Sequence, residues 1–196
     1  MLISNGQQRN MTRYTLYMAE LRRGKVQDVS SEEQQAQFQE RIANLKDFNE
    51  MFELVKLAVL RKFKMHRSGL NLILQVMPSN LGAYHMLGSN SIVVNSFLLA
   101  AVKKIAGSTK EYNSYVFMVL AHEYLHSLGI MDENTVRQMT FDLCKWMFGD
   151  DHVATKMAQA DPSAIYPELR SLMQSQFSRD FHVVKDFDIS NQTYIH

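Results

Sequence analysis

The sequence predicts an α+β fold: a long scaffold helix, a small, mostly antiparallel three-stranded sheet, a buried helix carrying a histidine pair, a second helix directly after it, and further helices toward the C-terminus. Three observations predict it. Apolar residues recur three or four apart from Phe38 to Phe63, short β-branched runs bounded by Pro and Gly follow, and helix caps punctuate the chain from Asn95 onward. With 196 residues, 46% hydrophobic and 21% charged, the chain can bury a sizeable core. The expected division is an N-terminal extension over 1–29, a core over 30–149, and a helical extension with a tail over 150–196.

Within residues 1–29 the segment Thr12–Leu21 has a period that fits strand and helix alike. Ser30 and Glu33 form a capping box that opens a long amphipathic helix, with Phe38, Ile42, Leu45, Phe48, Phe52, Val55, Val59 and Phe63 on its apolar face, ending before Gly69. Leu70–Met77 reads as a strand stopped by Pro78, Leu81–Leu87 as a second, and Ser91–Asn95 as a third, with a hairpin turn at Gly88–Asn90. Asn95 or Ser96 caps a short helix, Phe97–Ala106. Ser108 with Glu111 opens the next, which runs to Leu128 and stops at Gly129. Asp132 caps a helix over Glu133–Phe148, and Asp150 or Asp151, Asp161-Pro162 and Tyr166-Pro167 mark later starts reaching Phe177. The tail, Asp180–Ile189, reads as extended.

His122-Glu123-Tyr124-Leu125-His126 has the spacing HExxH. Residues four apart on a helix put both imidazoles on one face, which suits a tetrahedral Zn²⁺ site, and Glu123 beside the first can take a proton from a water that the metal activates. In a chain of this size the pattern arises by chance with a probability on the order of one per cent. The flanks, Tyr115–Ala121 and Leu125, are apolar, so the helix is expected to be buried, where histidines and a carboxylate cost several kcal/mol unless paired or metal-bound.

A formal net charge of +1 with balanced signs advertises neither nucleic acid nor an anionic membrane as a partner, so no nucleic-acid binding is expected. A single cysteine, Cys144, excludes an intrachain disulfide and suits a reducing compartment. With no signal-like N-terminus and no apolar run long enough to span a bilayer, the expectation is a soluble, cytoplasmic protein without stable membrane insertion.

The long helix, the small sheet whose late strand reads Ile92-Val93-Val94-Asn95, the short helix and the HEYLHSLG helix together resemble the gluzincin zinc metallopeptidases, most of all the soluble minigluzincins. The resemblance covers about residues 35–148. It implies a zincin-like fold, Zn²⁺ as cofactor, a peptide or protein substrate, and peptide bond hydrolysis with Glu123 as general base. It also implies a third, carboxylate ligand from the helix after the motif. Glu133 ranks first, having one more methylene to reach back. Asp132 comes next, placed where metzincins put their third ligand but also the natural helix cap, and Asp142 last. The plainer role for Glu133 is a helix-start acid pairing with Arg137. In the resembling enzymes an edge strand receives substrate as an added strand, which here assigns Gly82, Ala83, Tyr84 and His85 to substrate binding.

Other groups carry weaker expectations. His152 is a candidate oxyanion stabiliser or a surface helix-start histidine, Tyr112 and Tyr115 are fainter candidates, and Cys144 reads as an inert core thiol before an inhibitory thiolate. Asp180, His182, Asp186, Asp188 and His196 could make the tail a latency segment, as in latent minigluzincins, or the tail packs elsewhere. The competing functions are a non-catalytic zinc-binding protein that keeps the fold for partner binding, and a metal-dependent hydrolase of another bond.

Overall fold

The computed structural model describes residues 31–172 and 174–188. The segment Thr12–Leu21, the Ser30 cap and His196 lie outside the described residues. The chain divides into two compact units, 1–34 and 35–196. Of the first, residues 31–34 are described, as the opening of a helix.

The single scaffold helix expected from periodicity is two helices, α1 (Ser31–Asn44) and α2 (Phe48–Phe63). Leu45 and Phe48 keep the apolar spacing across the break, so periodicity does not register it. Asp47 does: its carboxylate caps α2 by accepting from the Glu50 amide at 2.8 Å, and Glu50 accepts from the Lys46 amide at 2.9 Å. The helix ends at Phe63, before Gly69 as expected, where Lys64 turns left-handed at φ 60°.

Among the described residues the sheet has four strands, not three. Strands β1 (Asn71–Gln75), β2 (Ala83–His85) and β3 (Ser91–Asn95) are joined by β4 (Phe181–Val184) from the tail, in the order β2-β3-β1-β4. It is mixed: β1 runs parallel to β3, while β2 with β3 and β4 with β1 are antiparallel. Leu72, Ile92 and Val94 share one face and are buried, which sets which side meets the helices.

Helices α3 (Ser96–Ile105), α4 (Thr109–Ser127), α5 (Glu133–Phe148), α6 (Val153–Ala160) and α7 (Pro162–Ile165) follow, then a 3-10 turn at Pro167–Ser171. The fold is therefore α+β, with seven α-helices among the described residues. α4 is apolar on nearly every side and packs against α2, α5, α6 and β2. Ser108 caps it through the Glu111 amide at 3.2 Å. Gly129, at φ +94°, supplies the conformation that stops it. Among the described residues no helix is long and apolar enough to cross a membrane.

The tail is built into the core. Phe187 stacks on Phe52 with ring centroids 4.2 Å apart, and Asp188 accepts from the fully buried Lys56 at 2.7 Å and from the Gly69 amide at 2.8 Å.

Candidate metal centre

His122 and His126 stand one turn apart on α4, and the reversal at Gly129 brings the first residue of α5 back over them. The three side chains converge. His122 Nε2 lies 3.2 Å from His126 Nε2 and 3.4 Å from Glu133 Oε1, and His126 Nε2 lies 3.1 Å from Glu133 Oε2. Tetrahedral bonds of about 2.0 Å give ligand–ligand edges of ~3.3 Å, so the spacing fits one cation held by two imidazoles and a carboxylate. One ligand atom from each of the three lies within 4.8 Å of the others, and this is the one such group of histidine, cysteine and acid among the described residues.

The protonation states suit that donor set. His126 Nδ1 donates to the Ile130 carbonyl at 2.8 Å, which orients the ring so that Nε2 is the atom turned to His122 and Glu133. Burial lowers the pKa of His122, against the opposing pull of Glu133, and favours its neutral form. Burial raises the Glu133 carboxyl, but Arg137, at 2.9 Å, and the two histidines outweigh it and hold the group below its ordinary range. The pairing with Arg137 thus forms as well as the approach to the histidines.

Glu123 is buried beside this cluster. Burial first, and Glu133 second, push its carboxyl up to about 8, while the backbone N–H of His85 pulls the other way. Its Oε2 is buried and has no hydrogen-bond partner. An oxygen left so is costly unless something arrives to meet it.

The contact with His85 places β2 along the cleft. Gly82 accepts from the Asn95 amide at 2.9 Å, so Gly82 and Tyr84 turn their main-chain groups toward β3, and the alternation leaves those of Ala83 and His85 on the open edge. Tyr84 puts its ring on the outer face, beside Ile73, Val93 and Phe181. His85 lies on the helix side, its Nδ1 donating to the Ser91 carbonyl at 3.0 Å.

Several candidates are not brought together with the triad. Asp132 spends its carboxylate on the cap, accepting from Thr135 N at 2.8 Å and Oγ1 at 2.6 Å. Asp142 sits about 13 Å further along α5 and accepts from Gln138 at 3.0 Å. His152 is no oxyanion stabiliser: it caps α6, stacks on Phe148 at 4.6 Å and faces Lys110, roughly 18 Å along α4 from His122. Tyr112 and Tyr115 belong to that same distant half of α4. Cys144 is fully buried in the core, its thiol pushed up by burial, as an inert thiol should be. Asp180, His182, Asp186 and Asp188 lie just before, on or just after β4, which is three strand spacings or about 14 Å from β2, so the described tail stays out of the cleft.

Two residues that hold the site carry no spacing signal. Buried Asn95 does more than cap α3. Its amide donates to the Met77, Pro78 and Leu81 carbonyls at 3.1, 3.1 and 2.9 Å, fixing the approach to β2. Arg67, in the loop after α2, reaches α4 and the β2–β3 turn together. No protein-family model, curated protein or solved structure matches the chain.

Proposed function

We propose that the chain is a zinc-dependent metallopeptidase of the gluzincin type, with a zincin-like core, that hydrolyses peptide bonds in extended segments of protein. The observation that carries this reading is the convergence of His122, His126 and Glu133 at ligand spacing beside the buried, unpartnered oxygen of Glu123. Those three side chains would hold Zn²⁺, which when bound polarises a carbonyl and lowers the pKa of water toward about 7.

The rest is done by the chain. Glu123 Oε2 accepts a proton while the His85 amide holds the carboxylate in place, and Glu123 returns that proton to the leaving amine. Its raised affinity for a proton is what such a shuttle needs, and a cation in the triad would draw it back toward ionisation. The open main-chain groups of Ala83 and the carbonyl of His85 can pair with an extended peptide and align its scissile bond over the cleft. A non-catalytic zinc protein would have no use for a buried base with one oxygen left bare.

Zinc content should be measured alongside hydrolysis of an unstructured protein such as casein. We expect about one zinc per chain, activity removed by a chelator and restored by zinc, and Glu123→Gln that keeps its zinc while losing activity by several orders of magnitude. Wild-type rates in Glu123→Gln would sink the mechanism, and undiminished zinc in His122→Ala with His126→Ala would sink the site.

A further inference from the structure

We propose that Arg67 is a positioning residue that fixes the height of strand β2 above the histidine pair, an inference that rests on the metallopeptidase reading above. β2 is three residues long and lies at the edge of the sheet. So short a strand, paired on one side, cannot hold its own position against thermal motion. One end of it is secured by Asn95. The other end runs into the exposed turn at Leu87–Gly88, and there Arg67 takes over.

The guanidinium joins two elements. Nη1 donates to the Ser127 carbonyl at 2.6 Å, one residue past His126 at the end of α4. Nη2 donates to the Ser89 carbonyl at 3.0 Å and to Asn90 Oδ1 at 2.6 Å, in the turn that closes the β2–β3 hairpin. Every acceptor is a neutral oxygen, and the helix end supplies carbonyls with no intrahelical partner at the negative pole of the α4 dipole, where a cation is favoured. Arg67 is itself held from behind. Its amide donates to Tyr124 Oη at 2.7 Å and its carbonyl accepts from the same hydroxyl at 2.9 Å, and Tyr124 lies inside the histidine motif. The loop, the motif helix and the substrate edge thus meet at one side chain. A planar fork with five donors can span these oxygens; a lysine ammonium cannot.

Losing the fork frees the turn and lets β2 lift from Glu123. Substrates that run along β2 should suffer, and those too short to reach it should not. The test compares wild type, Arg67→Ala and Arg67→Lys for zinc content, for kcat and KM on casein-derived peptides of graded length, and for amide exchange across residues 83–87.

We expect full zinc in both variants, KM raised about tenfold for the longer peptides and unchanged for a blocked dipeptide, and faster exchange at 83–87. Millimolar guanidinium should restore the long-peptide KM in Arg67→Ala but not in Arg67→Lys. If Arg67→Ala fails to fold, Arg67→Lys, which keeps the charge and the stem, carries the test. Equal losses on short and long peptides, or wild-type exchange at 83–87, would overturn the proposal. A wild-type chain that binds zinc and hydrolyses nothing would overturn the peptidase reading instead, and exchange at 83–87 would still decide whether Arg67 holds the strand.

Discussion

Glu133 carries three partners on one carboxylate: His122, His126 and Arg137. The arginine keeps it ionised while it meets the histidines, so the helix-start salt bridge is compatible with the proposed ligand role rather than an alternative to it. The neighbouring acids are separated by geometry alone. Asp132 is consumed by the cap, where truncation to alanine should cost about 1 kcal/mol of stability and leave zinc binding intact. Glu133→Ala should instead weaken zinc by about a hundredfold or more, and Asp142→Asn should do neither. A competition titration against a chromophoric chelator, run beside urea unfolding, separates the three. Zinc lost in Asp132→Ala with Glu133→Ala unaffected would reassign the ligand.

At the scale of elements, local chemistry was the legible part. Helix α5 runs from Glu133 to Phe148 between Asp132 and Gly149, as its cap and stop residues require, and β3 spans Ser91–Asn95 as read from its β-branched run. The break between α1 and α2 was hidden because the apolar stripe continues through Leu45 and Phe48 while only Asp47 and Glu50 announce a cap. The docking of the tail was invisible for a different reason: Lys56 and Asp188 meet across 132 residues, and no periodicity encodes that. The meeting has a mechanical consequence. Asp188 accepts from Lys56 and from the amides of Gly69 and Leu70, so Asp188→Ala removes one of two carboxylates from the buried Lys56 ammonium, Glu53 remaining at 2.6 Å, strips both amides of this acceptor, and should cost about 1–3 kcal/mol. Ending the chain at Ser178 adds the loss of β4 and of the Phe187 ring, another ~2 kcal/mol or more, against a whole-domain stability of about 5–15 kcal/mol. Such a truncation should lower the urea midpoint and expose apolar surface rather than release activity. An unchanged midpoint with increased hydrolysis would support the latency expectation.

For the whole molecule, the cluster that could hold a metal was legible because it is mostly local: two residues on one helix turn and a third just after the next reversal. The supports of that site, Arg67, Asn95 and the His85 amide, come from the loop and sheet behind it and depend on contacts no spacing rule reports. His152 shows the same division between a residue type that suggests chemistry and a position that gives it a structural role. Its Nδ1 accepts from the Ala154 amide at 3.2 Å, its ring lies against Phe148, and burial first, then Lys110, push its pKa from the ordinary 6.5 down to about 4. The sign follows from proton counting. Between those two values the unfolded chain binds a proton that the folded chain refuses, so stability from this group is complete above about 6.5 and is lost as pH falls toward 4. Asparagine can keep the cap without titrating. Urea midpoints measured from pH 7.5 to pH 4.5 should therefore fall more steeply for the wild type than for His152→Asn, whatever offset the substitution introduces at neutral pH. Parallel curves would mean that the folded chain accepts the proton at His152, and that its ring is not sealed against Phe148.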